Sequence, residues 1–180
     1  MIIFNLPFSW LFPCKRAYLR ISAHEIYLRD LDSGREWRGP PVVAATKPAT
    51  HKSGPFRKVV AVGNAAAEAV SRDPENLEIM ECFNHPRSII DDFYPAQALL
   101  LEVFRSFYKG SFTRLEVVMH PLEKLEHGLT KIEVRALMEL GEASGAFRSC
   151  VWVGPELTDK ELRSIGQKKY GLLSPEDLQS

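Results

Sequence analysis

Two stretches near the start of the chain alternate between apolar and polar residues. In "YLRISAHEIYLRD" (18–30), every second position is apolar on each side of the polar segment "SAHE". Alternation with period two is typical of half-buried strands, and the short polar segment predicts a hairpin. Two further apolar runs, "VVAAT" (42–46) and "KVVAVG" (58–63), predict a third and a fourth strand.

After these strands, helical patterns alternate with short apolar strands. "NAAAEAVSR" predicts a helix with Asn64 as its N-cap. "DDFYPAQALLLEVFRSFYKG" has apolar residues at helical spacing, with Pro95 in the first turn and a stop at Gly110. "GLTKIEVRALMELGEASGAFR" predicts a helix that begins with a capping box of Thr130 and Glu133.

Three more strands and one more helix complete the prediction. "LEIMECF", "RLEVVMH" and "SCVWVG" are the strands, and "LTDKELRSIGQKKYG" is the helix. Strands followed by strand–helix alternation predict an α/β fold, with a mixed sheet and helices on its faces. The expected organisation is an apolar N-terminal segment (1–16), one domain (17–171) and a tail (172–180).

The composition is that of an ordinary folded domain. Of 180 residues, 45% are apolar and 26% are charged. Lys plus Arg and Asp plus Glu number 23 each, so no global field favours nucleic acid. Three distant cysteines predict no disulfide framework and suit a reducing compartment. No apolar run approaches the roughly 20 residues that span a bilayer.

Five segments follow the pattern of one known family, in its order and at nearly its spacing. "PPVVAA" resembles E-P-S-V-[IV]-A, "SIIDDF" resembles V-I-A-D-[FY] with Asp92 at the Asp, and "RLEVVMHP" resembles R-V-V-I-x-V-P. "VVAVGNAAAEAVSRDPENLEIM" and "GLTKIEVRALMELGEASGAFRSCVWVGPE" are similar to the segments that carry its first and later helices. The family is that of MreB, the bacterial actin homologue that determines rod shape, and the resemblance covers residues 16–165.

The resemblance implies the first half of the actin-like ATPase fold, with a ribonuclease H-like sheet and a small subdomain inserted in it. In that family, ATP is clamped between two similar halves. The second phosphate-binding turn and the adenine pocket belong to the later half. Because this sequence resembles the first half only, the resemblance implies an incomplete nucleotide clamp.

The turn between the first two predicted strands departs from the family pattern. The family has D-[LF]-G-[TS]-A-N-T there; its backbone N–H groups hold ATP phosphates, and its Asp organises the metal. Here the turn is "ISAHEI", without glycine. Ser22 stands in place of the Asp, and His24 and Glu25 add bulk or negative charge, which repels a triphosphate unless a cation bridges them. We therefore expect a degenerate phosphate turn, no nucleotide cofactor and no catalysis.

Other candidate catalytic or metal-binding residues are isolated in the sequence. Glu133 aligns with a family Glu associated with hydrolysis, but its capping position explains it equally well. Cys82 and His85 have metal-like spacing, but no second Cys/His pair completes a tetrahedral site. As a nucleophile pair they would lack an orienting partner and an oxyanion hole. We expect neither a metal ion nor an active site here.

The opening stretch "MIIFNLPFSWLFPCKR" places large apolar residues in front of two cations. A two-turn helix over residues 6–12 would suit the interface of an anionic membrane, and MreB proteins carry a short amphipathic anchor at this end. The expected membrane-binding residues are Ile2, Ile3, Phe4, Leu6, Phe8, Trp10, Leu11, Phe12, Lys15 and Arg16. Two alternatives to a membrane anchor stay open for this stretch: a strand of the core, or a segment that binds in a groove of a partner protein. The absence of a cation before Ile2 argues against a cleaved signal.

These observations predict a non-catalytic MreB-like cell-shape protein of the cytoskeleton. It would be cytoplasmic and peripheral at the inner face of the plasma membrane. The expected partners are an actin-like filament, which the protein would bind or cap, a cell-wall synthesis component and an anionic membrane surface, without nucleic acid; homodimerisation stays open. One alternative is an ATP-binding actin-like ATPase or phosphotransferase completed by a second chain. A third interpretation is an adaptor unrelated to filaments.

Overall fold

Nine strands and four α-helices make up the part of the chain that the computed structural model describes, namely residues 14–48, 57–109, 114–165 and 171–178. In chain order they are β1 (Cys14–Ile21), β2 (Ile26–Asp30), β3 (Glu36–Gly39), β4 (Val42–Thr46), β5 (Val59–Val62), α1 (Asn64–Arg72), β6 (Leu77–Glu81), α2 (Phe93–Phe107), β7 (Arg114–Pro121), α3 (Lys131–Ala143), β8 (Arg148–Trp152), α4 (Asp159–Ser164) and β9 (Leu172–Leu173). A short 3₁₀ turn, Pro175–Leu178, follows β9.

The larger sheet has six strands in the order β3-β2-β1-β7-β8-β9. β1, β7, β8 and β9 are parallel to one another, and β2 runs antiparallel to both of its neighbours, β1 and β3. The pairing of Ile21 with Ile26 confirms the predicted hairpin and its turn over residues 22–25. β3 was not predicted, because its stretch contains Gly34, Gly39 and two prolines, which are typical of turns. The mixed sheet confirms the predicted α/β class.

A smaller antiparallel sheet, in the order β5-β4-β6, is inserted between β3 and α2. α1 packs against all three of its strands. The prediction that Asn64 caps α1 is wrong, because Gly63 is the N-cap and Asn64 is the first helical residue. Gly63 has a φ of 58°, a conformation that side chains with a Cβ disfavour, and this lets the chain turn directly from β5 into the helix.

Helices α2 and α3 cover one face of the larger sheet. α2 begins after Asp92, whose carboxylate accepts a hydrogen bond from the Tyr94 N–H at 3.1 Å. α3 begins with the predicted capping box of Thr130 and Glu133, with both reciprocal bonds present. The buried residues of both helices recur at helical spacing and form one core with β1, β7 and the small sheet.

The opposite face of the larger sheet is covered by α4 and the residues that follow it. Trp152 and Leu162 are fully buried there, together with Leu173. The prediction that residues 172–180 form a tail is therefore wrong for its described part, because Leu172–Leu173 pair with β8 as a parallel strand. The chain's own C-terminal residues thus complete a second core.

The expected N-terminal segment of residues 1–16 overlaps the first strand. Lys15 and Arg16, two of the predicted membrane-binding residues, lie on β1. Lys15 Nζ is 3.8 Å from Asp32 Oδ2, and Arg16 Nε is 3.4 Å from Glu116 Oε2. Residues 14–16, which the prediction assigned to the N-terminal segment, are therefore part of β1. The other predicted anchor residues, Ile2 to Phe12, lie outside the described residues.

Candidate functional site: the turn that follows the first strand

The turn of residues 22–25 lies at the carboxyl end of β1, beside the end of β7. These two strands are parallel, and the Leu122 N–H donates to the Ile21 carbonyl at 2.9 Å just beyond them. In open α/β sheets, ligands bind outside the carboxyl ends of the strands. The fold thus places the predicted phosphate-turn residues where a ligand would be expected.

All four backbone N–H groups of this turn are already engaged. The Ser22 N–H donates to the Glu25 carbonyl at 3.0 Å. Ser22 Oγ accepts from the His24 N–H at 3.2 Å and from the Glu25 N–H at 2.9 Å. The Ala23 N–H donates to Glu123 Oε2 at 3.0 Å. No N–H of the turn remains to hold a phosphate in this arrangement.

The structure therefore brings Glu123 to the turn, a residue that the sequence interpretation missed. It lies two residues beyond β7, and its carboxylate supplies an anionic acceptor where the resemblance would place a phosphate oxygen. Its position after the strand parallel to β1 is a signal that could have revealed it. His24 and Glu25 point outward, and Glu25 Oε1 is 3.6 Å from Arg38 Nη1.

The space enclosed beside the turn is small. Its volume is about 10 Å³, no more than one water molecule needs. Lys124 closes one wall, since its Nζ donates to the Phe83 carbonyl at 3.2 Å and to the Ser88 carbonyl at 2.9 Å. A polyphosphate does not fit between the turn and Lys124 as they stand.

The other residues singled out in the sequence are apart from this turn. Glu133 Oε2 accepts from the Thr130 N–H at 2.9 Å and from Thr130 Oγ1 at 2.8 Å, as a helix cap does. Cys82 is fully buried, whereas His85 accepts a hydrogen bond from the Arg87 N–H. In the described ranges, no group of three or more His, Cys, Asp or Glu side chains is placed to hold a metal ion.

We predict that Cys82 and Cys150 are unreactive in the folded protein. Burial raises the pKa of each thiol to about 12, and Asp92 and Asp91 add to the effect at Cys82. Only about 10⁻⁴ of such a thiol is thiolate at pH 8. A thiol-reactive reagent should label at most Cys14 in buffer and all three cysteines in urea. Fast labelling of Cys82 in buffer would contradict this prediction and favour the interpretation of Cys82 and His85 as a nucleophile pair.

A buried tyrosine–histidine pair joins β1 to β7 on the face of the larger sheet that α4 covers. Tyr18 Oη lies 2.5 Å from His120 Nδ1 and accepts from the Leu157 N–H at 3.3 Å. His120 Nε2 lies 3.0 Å from the Gly154 carbonyl, which can only accept. This fixes a neutral imidazole with its proton on Nε2, while burial raises the pKa of Tyr18 to about 12 and keeps its hydroxyl protonated.

We predict that His120 makes the protein less stable in mild acid. Burial lowers its pKa below the ordinary 6.5, despite the opposing effect of the Gly154 carbonyl. The unfolded state therefore binds this proton more readily, and stability falls as pH drops below about 6.5, by up to about 1.4 kcal/mol per pH unit. Urea unfolding at pH 7.5 and 5.5 should show a larger loss for the wild type than for His120→Gln. Parallel profiles would contradict the prediction.

A groove of about 700 Å³ opens between α2 and the edge strand β5. Apolar residues such as Val60 and Leu101 line it, with Glu102 and Arg105 at its margin. β5 pairs with β4 on one side only. The groove is thus a surface suited to contact with a protein, well separated in sequence from the turn of residues 22–25.

The described residues contain no helix that is long and apolar enough to cross a membrane. Of the predicted membrane-binding set, only Lys15 and Arg16 fall within these residues, on the first strand. The membrane-binding role of Ile2 to Phe12 therefore stays a prediction.

Solved structures of actin-like proteins resemble this fold. The chain aligns with MreB5 of Spiroplasma citri bound to ADP with a TM-score of 0.56 and 17% identity, over 76% of this chain and 37% of that one. It aligns with a non-polymerising MamK mutant bound to AMPPNP with a TM-score of 0.59 and 17% identity, over 78% and 41%. The MamK double helical filament gives 0.54 and 16%, over 76% and 40%.

These similarities establish the fold and no more. No protein-family model matches the chain, and no curated protein sequence matches it either. The chain spans about two-fifths of the length of the structures that it resembles. It therefore has part of the actin-like fold: a mixed α/β sheet with helices on its faces and a smaller sheet inserted in it.

Proposed function

We propose that this chain is a non-catalytic, MreB-like cytoskeletal protein that acts by binding, at the inner face of the plasma membrane. It binds or caps an actin-like filament, or binds a component of cell-wall synthesis. The observation that supports this proposal most directly is the turn of residues 22–25. Its backbone N–H groups donate to Ser22, Glu25 and Glu123 within the chain, so the turn has no free backbone N–H to offer a nucleotide.

Electrostatics favours the same conclusion. A phosphate approaching the turn would have to displace the Glu123 carboxylate or lie beside it, and like charges at such distances repel. The residues at the position of the family's phosphate loop therefore do not fit ATP. The alternative, an ATPase or phosphotransferase completed by a second chain, would require Glu123 and Lys124 to move away from this turn.

Capping follows from geometry if the protein shares its partner's fold. Actin-like subunits stack end to end through surfaces on both halves of the molecule. In this proposal, the part of the actin-like fold that this chain has occupies the end of a filament. Similar actin-like proteins include one solved as a filament, MamK, which makes a filament partner plausible.

Assembly of purified MreB on lipid tests this function. We expect substoichiometric amounts of the chain to shorten the filaments if it caps ends, or stoichiometric amounts to cosediment if it binds their sides. As a control, a variant changed on a surface far from any stacking surface, and with the unfolding behaviour of the wild type, should affect the filaments as the wild type does. Filaments of unchanged length without bound chain, together with a pull-down that recovers no wall-synthesis component, would contradict the proposal.

The membrane part of the proposal rests on the apolar opening of the sequence. Full burial of one large apolar side chain contributes roughly 1.5–3 kcal/mol, and interfacial insertion only part of that. Several such residues give weak, reversible binding that becomes firm when copies are linked in an array. Flotation with anionic vesicles should recover a much larger fraction of the intact chain than of a version that starts at Cys14, where β1 begins. Equal flotation of both would contradict an anchor in residues 1–13.

A further inference from the structure

One end of the larger sheet gathers positively charged side chains. The amino ends of β1, β7 and β8 lie side by side there, because Cys14 pairs with Arg114 and Glu116 pairs with Arg148. α2 and α4 end at the same place, since α2 leads into β7 and Arg163 in the last turn of α4 contacts the Leu31 carbonyl. We call this the basic end; its cations include Lys15, Arg16, Lys109, Arg114, Arg148 and Arg163.

Carboxylates offset only part of this charge. Asp32 lies 3.8 Å from Lys15 and 4.0 Å from Arg163, and Glu116 pairs with Arg16. Asp30 accepts hydrogen bonds from Ser33 within its own turn, and Glu142 lies in the last turn of α3. Among the described residues, the six cations named above outnumber these four carboxylates, and a positive excess attracts an anionic surface.

An exposed phenylalanine lies at this same end. Phe147 is 50% exposed, and its N–H donates to the Leu115 carbonyl at 2.7 Å, which fixes the residue against β7. The Arg114 guanidinium carbon is 3.7 Å from the centre of the Phe147 ring, and that of Arg148 is 6.0 Å away. The ring is thus presented to solvent between two cations rather than folded into the core.

An aromatic ring flanked by cations suits the interface of an anionic bilayer. The ring inserts at the level of the headgroups while the guanidinium groups contact lipid phosphates. The cations are spread over one end of the sheet rather than along a groove, which fits a broad surface. Residues 1–13, the predicted anchor, join the described chain at Cys14, which pairs with Arg114 on β7.

We propose that Phe147, with Arg114 and Arg148, is a second contact with anionic lipid, so that the folded body rests on the membrane by its basic end. This inference depends on the proposed membrane location and adds an orientation to it. The turn of residues 22–25 lies at the other end of β1 and faces away from the bilayer. A membrane-bound filament would then approach the protein from its sides or from that far end.

Flotation of the full-length chain with vesicles of phosphatidylglycerol and phosphatidylcholine tests this contact. Loss of one cation near an anionic surface weakens binding about fivefold, so the Arg114→Gln and Arg148→Gln changes together should weaken it by at least that factor. Phe147→Ser should lower the bound fraction severalfold, and Phe147→Trp should keep it. The matched control is Ile132→Ser, at an 81% exposed residue in the first turn of α3, at the opposite end of the sheet.

The outcomes separate this inference from the proposed function. If the wild-type chain fails to float, the membrane location itself is contradicted. If the wild type floats and Phe147→Ser, the double arginine variant and Ile132→Ser all float equally well, only the second contact is overturned. Circular dichroism checks that each variant is folded. If the arginine variant is unfolded, the comparison of the bound fractions of Phe147→Ser and Ile132→Ser alone tests the second contact.

Discussion

Replacing Trp152 with alanine is expected to lower the free energy of unfolding by about 3–5 kcal/mol. Trp152 is 1% exposed and belongs to the core that covers the second face of the larger sheet. Its Nε1–H donates to the Pro155 carbonyl at 2.8 Å, so the change also removes a buried hydrogen bond. For a chain of this size the midpoint of thermal unfolding should fall by roughly 10 °C.

Urea unfolding followed by circular dichroism measures this loss. Trp152→Phe keeps part of the ring and should cost less than the alanine change, whereas Leu122→Ala, at a 45% exposed residue, should cost little. The prediction matters because the second face is covered by α4 and β9 of this same chain. A loss below about 1 kcal/mol for Trp152→Ala would mean that this core is not packed in solution.

Replacing Gly141 with valine is expected to destabilise the protein by about 1–3 kcal/mol through overpacking. Gly141 lies on the side of α3 that packs against the sheet. A Cβ at this position would be 2.5 Å from Ser149 Oγ and 3.0 Å from Met119 Sδ. Both neighbours are buried on β8 and β7, so the helix or the strands must shift to admit the side chain.

Ala143→Val is the matched control for this change. Ala143 is exposed on the same helix, so the substitution reports only the modest cost of a β-branched residue in a helix, about 0.5 kcal/mol. Thermal unfolding of the two variants separates the packing cost from the helix propensity. Equal midpoints would contradict the close approach of α3 to β7 and β8.

Elements with a clear period were predictable from the sequence. The β1–β2 hairpin follows from alternation on both sides of a polar turn. α2 follows from helical spacing, and α3 from helical spacing with a capping box at its start. These local signals agree with the tertiary structure because the apolar positions that define the period are the ones buried in the core.

Elements that depend on distant partners were not predictable. β3 has four residues, among them Trp37 and Gly39, and two prolines follow it directly. It forms because β2 offers a free edge. β9 has two residues and exists because β8 offers the next edge. Neither stretch is long enough to show a period, so its sequence reads as a turn or a tail.

The candidate site, too, was predictable only in part from the sequence. The departure of "ISAHEI" from a glycine-containing phosphate turn was visible in the sequence, but the two hydrogen bonds that the Ser22 hydroxyl accepts within the turn were not. The part played by Glu123 was not visible, because it requires the parallel pairing that brings the end of β7 beside the end of β1. One carboxylate, about 100 residues away, completes the turn.

Equilibrium titration of the full-length chain with a fluorescent ATP analogue and Mg²⁺ tests the central claim most directly. Because the N–H groups of residues 22–25 are engaged within the chain, we expect no saturable binding up to about 1 mM nucleotide. A dissociation constant in the micromolar range, displaced by unlabelled ATP, would contradict the claim and favour an ATPase or phosphotransferase completed by a second chain.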